Sequence, residues 1–313
     1  MMDTGNSGHL IRSEVWSSQL KETLLDELQA TTYVNWMNEF PDGDTFTIPS
    51  IGDAVTDDYS ENSPVQYRAL DTGEFQFSID QYKSSGHYIT NKAKQDGFWM
   101  NQLVSSFVPK QSRAILETVE TKVLGLQSQQ TASSANAING ADHRFVATGT
   151  NEVFTVADFA KARYALKKAN VPDTNLVAIV DPSVEYTINT LTNIANISNN
   201  PRWEGIVSDG IATGMKFVKN IYGFDVYTSN YLADANEQMD SAGPTTGAGK
   251  ANLFFSAASD VLPFIGAWRQ MPQVDSEYNK DFQREEYVTT ARYGVKLYRP
   301  ENLVVVLSDT DQV

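Results

Sequence analysis

The chain has 313 residues, enough for one large core or two smaller ones. Its 41% hydrophobic, 11% aromatic and 20% charged residues exclude a disordered chain and a membrane protein, and the absence of cysteine excludes disulfides, thiol nucleophiles and Cys-ligated metals. With 24 Lys plus Arg against 39 Asp plus Glu, the formal charge is −15, which repels phosphates and anionic lipid and argues against sequence-specific DNA binding.

The amino-terminal "MMDTGNSGHLIRSEVW" has no basic segment leading into an apolar run. No stretch reaches the roughly 18 apolar residues of a membrane helix, so synthesis in a cytoplasm without membrane association is expected. The lone Asn-x-Ser sequon at Asn196 then has no route to glycosylation. From Ser13 to Leu28, Trp16, Leu20, Leu24 and Leu28 recur every four residues beside Leu25, with Glu14, Lys21, Glu22, Asp26 and Glu27 elsewhere. This predicts a short amphipathic helix, whose apolar stripe must lie on the body of the fold or on another subunit.

Thr45–Ile51 reads as a strand, and Phe75–Tyr88 as a longer one in which Phe75, Phe77 and Ile79 alternate with Gln76, Ser78 and Asp80. Together they predict a hairpin. The acidic, turn-rich residues 52–74 between them far exceed an ordinary hairpin connection. A helical region starts after Thr90, and Pro109 suits the first turn of a continuous helix with Ile115, Val119, Val123 and Leu126 on one face. From Pro109 to Gln130 that helix would span about 33 Å. The small, polar residues from Ser128 to His143 read as an exposed loop.

Thr155 and Asp158 resemble a capping box opening a helix with Phe159, Ala162 and Leu166. Asn175–Val180 is a buried-type strand, and Asp181-Pro182 form an N-cap and first turn for a helix with Val184, Ile188 and Leu191. Phe217–Val218 and Phe224–Thr228 read as a strand pair around "KNIYG", and a mobile-looking stretch, Ala233–Asn252, precedes "LFFSA". Near the end, Tyr287, Ala291, Tyr293, Val295 and Leu297 alternate with Val288, Thr290, Arg292, Gly294 and Lys296, so one face is buried. A turn at Arg299–Asn302 then feeds "LVVVL", apolar enough to be covered on both sides.

No catalytic constellation emerges. His9, His87 and His143 lie far apart, and none has a helical i, i+4 partner, so no metal ligands are assigned. "TGAGKAN" has Pro244 and Ala251 where a phosphate-binding loop needs Gly and a hydroxyl, so Gly247 and Gly249 read as loop flexibility and no cofactor is expected. Asp57 with Asp58 is a solvated pair, Glu285 and Glu286 point to opposite faces of a strand, and no Gly-x-Ser-x-Gly elbow exists.

The order of elements resembles the major capsid proteins of tailed phages, the Hong Kong 97-type α+β fold. Two segments carry the likeness: Tyr59–Asp96, similar to that family's extended loop running into its long helix, and Thr289–Asp309, similar to its last peripheral strands. The resemblance implies an N-terminal arm at 1–44, an extended-loop hairpin at 45–89, a peripheral domain with a spine helix at 90–154, an α/β axial domain at 155–255, and a return to peripheral strands at 256–313. It further implies a non-enzymatic subunit of the virion that forms hexamers and pentamers of an icosahedral shell around double-stranded DNA. A separate scaffolding protein, a portal and decoration proteins are the partners it suggests. Trp16, Leu20 and Leu24 of the arm and Glu61, Tyr67 and Arg68 of the loop are the expected subunit contacts. Between Asp57 and Tyr82 the sequence has Arg68 and no Lys, so the lysine crosslink of some members is not expected. Two other readings remain open: a ligand-binding or enzyme domain offering the helix N-terminus after Val180 to an anion, and a different virion component forming rings or tubes.

Overall fold

The computed structural model describes residues 28, 30–37, 45–51, 56, 58, 61, 64, 72–96, 100–130, 137–190, 220–235, 238–240, 243–244 and 249–309. The chain begins with strands β1 (Val34–Met37), β2 (Thr45–Ile51), β3 (Thr72–Ser78) and β4 (Gln81–Thr90), then helices α1 (Asn91–Asp96) and α2 (Met100–Gly125). Short strands β5 (Ala137–Ile138), β6 (Ala141–Asp142) and β7 (Arg144–Val146) precede α3 (Val156–Lys168), β8 (Leu176–Val180) and α4 (Pro182–Thr190). After these come β9 (Asn220–Ile221), β10 (Phe224–Thr228), β11 (Asp234–Ala235), β12 (Gln238–Asp240) and β13 (Gly243–Pro244). The last four strands are β14 (Gly249–Ser256), β15 (Phe264–Asn279), β16 (Arg284–Leu297) and β17 (Val304–Asp309).

Five of these strands line up with β9 in the order β7-β17-β14-β8-β10-β9, and β11 also pairs with β14. The expected strand Asn175–Val180 is β8, and all five of its residues are buried. Because successive side chains point to opposite faces, its apolar run fills two cores. Leu176, Ala178 and Val180 join Phe254, Val304 and Val306 under α3 and α4, against Phe159, Ala162, Leu166, Val184 and Ile188. Val177 and Ile179 join Leu253, Phe255, Val305 and Leu307 on the other face, against Val119, Val123 and Leu124 of α2.

The helix starts are set by the residues expected. Thr155 and Asp158 form a reciprocal capping box, and the buried Asp158 carboxylate also accepts the Thr148 amide at 3.0 Å. Asp181 accepts the Ser183 amide at 3.0 Å at the start of α4. Leu191 and Phe217–Val218 lie outside the described residues.

A second sheet has the order β1-β15-β16-β4. β15 and β16 form a long hairpin running from Phe264 opposite Leu297 to Asn279 opposite Arg284. The alternation expected in β16 holds, with Ala291, Tyr293, Val295 and Leu297 buried. α2 lies on this buried face: Gln111 Oε1 accepts the Thr289 hydroxyl at 3.1 Å, and its Nε2 lies 2.8 Å from His87 Nδ1. Glu120 of α2, fully buried, accepts the amides of Ala30 and Thr31 at 2.7 and 2.9 Å, which ties the chain ahead of β1 to the helix.

Five expectations are corrected. α2 starts at Met100, so Pro109 lies inside it; the lost Ser105 carbonyl contact is a local cost of ~3 kcal/mol that a helix of 26 residues, about 39 Å, held along its length absorbs. Phe75–Tyr88 is two strands, because the chain turns at Ile79 and Asp80 from pairing with β2 to pairing with β16. β17, expected among the peripheral strands with β16, crosses to the seven-stranded sheet, between β14 and β7, where its apolar run is covered on both faces. Gly249 opens strand β14 and is buried, with Lys250 bonded to the Asp234 carboxylate, so this glycine is not loop flexibility. Likewise Ala137–Asp142 at the end of the expected loop form a small hairpin around Asn139 and Gly140, both at positive φ, as an Asn-Gly turn requires.

Gly294 fixes the crossing of β16 under the β3–β4 turn. A Cβ there would stand 2.5 Å from the Ser78 carbonyl oxygen and 3.0 Å from Ile79 Cα, whereas at Gly125 it would meet nothing within 4 Å. Gly294→Val is expected to destabilise the subunit by about 1–3 kcal/mol in urea titration, and Gly125→Ala to be neutral or stabilising by up to about 1 kcal/mol.

Candidate assembly surface

Strands β2 and β3 pair along their whole length, Thr45 opposite Ser78 through Ile51 opposite Thr72, and no third strand joins them among the described residues. Their base is clamped to the body. Phe77 and Ile79 are buried with Ile265 and Ala267, and Ile48, Phe75, Met37 and Tyr298 pack around them. Lys296 donates to the Gln76 carbonyl at 2.9 Å and lies over the Phe75 ring at 4.8 Å. Beyond the base, Thr56, Asp58, Glu61 and Pro64 are all exposed. Glu61, one of the six expected contact residues, therefore faces solvent. Tyr67, Arg68 and the arm residues Trp16, Leu20 and Leu24 lie outside the described residues.

A second surface was not anticipated. On the distal part of the β4–β16–β15 sheet, Tyr82 (66%) and Tyr88 (60%) are exposed on the face away from α2, with Val288 between them in register with Gly86. The tip adds Phe282, and Arg284 stacks between Tyr88 and Phe282 at 4.5 and 4.7 Å. Tyr82 and Tyr88 stand an even number of residues apart, which puts them on one strand face. Sequence could have found them by that spacing, but only the pairing with β16 places Val288 beside them.

Charges on this hairpin pair locally. Glu285 binds Lys94 at 2.6 Å and the Tyr287 hydroxyl at 2.9 Å, and Lys94 holds its carboxyl below the usual range. Glu286 binds Arg284 at 2.6 Å, which lowers it in the same way. The two carboxylates thus serve separate ion pairs, in keeping with opposite strand faces. Among the described residues no cluster of three or more His, Asp or Glu could hold a metal. No helix of the described residues is long and apolar enough to cross a membrane. At α4 the Asp181 carboxylate occupies the helix N-terminus, which removes the anion site of the ligand-binding reading.

His143, outside these surfaces, is fully buried between β6 and β7, with Nδ1 3.0 Å from the Ala141 carbonyl oxygen. Burial pushes its pKa below 6.5, outweighing the Ala141 and Glu301 carbonyls and the Asp142 charge. The folded state therefore holds it neutral, and the unfolded chain takes up the proton first as pH falls. Stability from this group is complete above pH 6.5 and is lost below it. Urea midpoints compared at about pH 7 and about pH 5.5 should fall more for the wild type than for His143→Asn.

The family model described as phage capsid protein matches residues 73–306. No curated protein sequence matches the chain. Solved structures of similar fold include the capsid of cyanophage P-SCSP1u, with TM-score 0.73, 14% identity, and 97% of this chain and 94% of that chain covered. The cyanophage Pam1 capsid is similar at TM-score 0.69 and 15% identity, with 99% of each chain covered. The mature capsid of bacteriophage PhiM1 is similar at TM-score 0.70 and 9% identity, over 96% of this chain and 93% of that one.

The chain belongs to the phage capsid protein family. Its fold is of the Hong Kong 97 type, and it is a major capsid protein, a structural subunit of the virion and not an enzyme.

Proposed function

We propose that this subunit forms hexamers and pentamers that close into an icosahedral shell around double-stranded DNA, held without sequence-specific contacts. The observation that carries the reading is the β2–β3 hairpin, two strands with no third partner among the described residues and with Asp58 and Glu61 exposed beyond them. An isolated two-stranded hairpin is marginal in water, and its open edges invite another chain. A neighbouring subunit supplies that partner, and Glu61, Tyr67 and Arg68 of the loop contact it. Trp16, Leu20 and Leu24 form the arm's contact stripe. The unit around β8, β10 and β14, residues 155–255, surrounds the capsomer axis as the axial domain. Segments 90–154 and 256–313 supply the peripheral domain, with β17 returning to the axial sheet. A net charge of −15 supports enclosing DNA without gripping it. A separate scaffolding protein directs closure, and portal and decoration proteins complete the particle.

Negative-stain electron microscopy with sedimentation velocity on the chain expressed alone is expected to reveal shells or rings of five and six. A single small closed oligomer, persisting when a scaffolding protein is co-expressed, overturns the reading. Trp16→Ser with Leu20→Ser should reduce shell yield at least tenfold with an unchanged urea midpoint; equal losses of assembly and folding would remove the arm from the interface.

A further inference from the structure

Between α2 and β4 lies a cleft of about 590 Å³ that the surfaces above do not use. Tyr293 lines it. This side chain is fully buried, and its hydroxyl has no hydrogen-bond partner among the described residues. Burial, with the nearby Asp80 charge, pushes its pKa up to about 12, so the phenol keeps its proton and is a donor waiting for an acceptor. Lys83 of β4 and Lys122 of α2 line the same cleft, and neither ammonium has a partner among the described residues.

Most of the other polar lining groups are engaged within the protein, the Tyr231 hydroxyl with Glu117 and Arg113, while Asp80 remains a negative charge beside Tyr293. Thr118, Thr121 and Ser128 donate their hydroxyls to the carbonyls of Ala114, Glu117 and Gly125, one turn back on their own helix. Glu117 is paired with Arg113 at 3.1 Å. Asp80 is engaged by the Gln81 amide at 2.9 Å. What is left is one phenolic and two ammonium donors around one space, in a chain whose net charge is −15. Two ammoniums and a hydroxyl without partners among the described residues, all lining one cleft, match a carboxylate, whose two oxygens accept several hydrogen bonds.

We propose that this cleft is a carboxylate-binding site in which Lys83 and Lys122 supply the charge and Tyr293 the buried hydrogen bond. Two sources carry the same chemistry: an acidic side chain of a second copy of this chain, or a free dicarboxylate.

Succinate is the probe, titrated by calorimetry into unassembled full-length subunits. Wild type is expected to bind at least tenfold more tightly than the Lys83→Gln/Lys122→Gln double variant. Tyr293→Phe should weaken binding severalfold while its melting temperature holds or rises, because the ring's packing stays and an unpaired hydroxyl goes. Succinate binding that persists in assembled particles identifies a free ligand. Binding that vanishes on assembly, with at least tenfold poorer assembly of the double variant, identifies a second copy's carboxylate. Wild type and double variant alike in both succinate affinity and assembly overturn the site. If the wild type forms no particle at all, the shell reading fails while the succinate comparison still decides this one.

Discussion

Three adjacent strands of the larger sheet, β8, β14 and β17, are apolar on both faces, and the rest of the fold follows from the need to cover them twice. Transfer of such side chains out of water is worth ~1.5–3 kcal/mol each, so neither face can be left bare. Helices α3 and α4 cover one face, where Phe254 packs against Phe154, Phe159 and Phe224 with ring centroids 5.2–5.9 Å apart. The second face receives α2 and, through Phe264, Tyr293, Val295 and Leu297, the proximal end of the four-stranded sheet. One core therefore joins the two sheets.

Polar hooks on α2 and the turn after it set the register of that union. Glu120 holds the amides ahead of β1, Gln111 holds Thr289 of β16, and Gln129 accepts the Leu297 amide at 3.2 Å. Toward the larger sheet, the Gln127 side chain accepts Arg144 of β7 at 2.8 Å, and Gln130 donates to the carbonyls of Pro300 and Leu303 just before β17. Gln111, Glu120, Gln127 and Gln130 are buried, so breaking one of their bonds strands a polar group without water. A single rigid helix thus fixes both the sheet that carries the projecting hairpins and the sheet that forms the larger core.

That rigidity is what the projecting parts need. The β2–β3 hairpin leaves the body at Phe77 and Ile79, pinned by Gly294 beneath, and Thr56, Asp58, Glu61 and Pro64 beyond it are exposed. The β15–β16 hairpin leaves it beyond Trp268 and ends in exposed aromatic and charged residues. Long elements with few partners of their own gain stability when another surface buries them, and a well-packed body keeps their direction constant.

Local signals in the sequence were enough for β8, the Thr155–Asp158 capping box, the Asp181 cap, the alternation of β16 and the two-sided burial of β17, because each rests on side-chain period or on a group within a few residues of its partner. They were also enough, through the order of elements, for the capsid likeness. Tertiary structure alone decided that Phe75–Tyr88 breaks between two sheets, that α2 continues through Pro109, and that β17 leaves β16 for β14. These depend on groups far apart in the chain, such as Gly294 under Ser78 and the sheets packed along α2, whose free energies no local pattern encodes. Strand β15, whose register shifts between Trp268 and Gln273 around Pro272, escaped its period for the same reason, and with it the aromatic surface beside Val288. The cleft was hidden most completely, since Lys83, Lys122 and Tyr293 share no motif and meet only because a helix and a strand distant in sequence lie side by side.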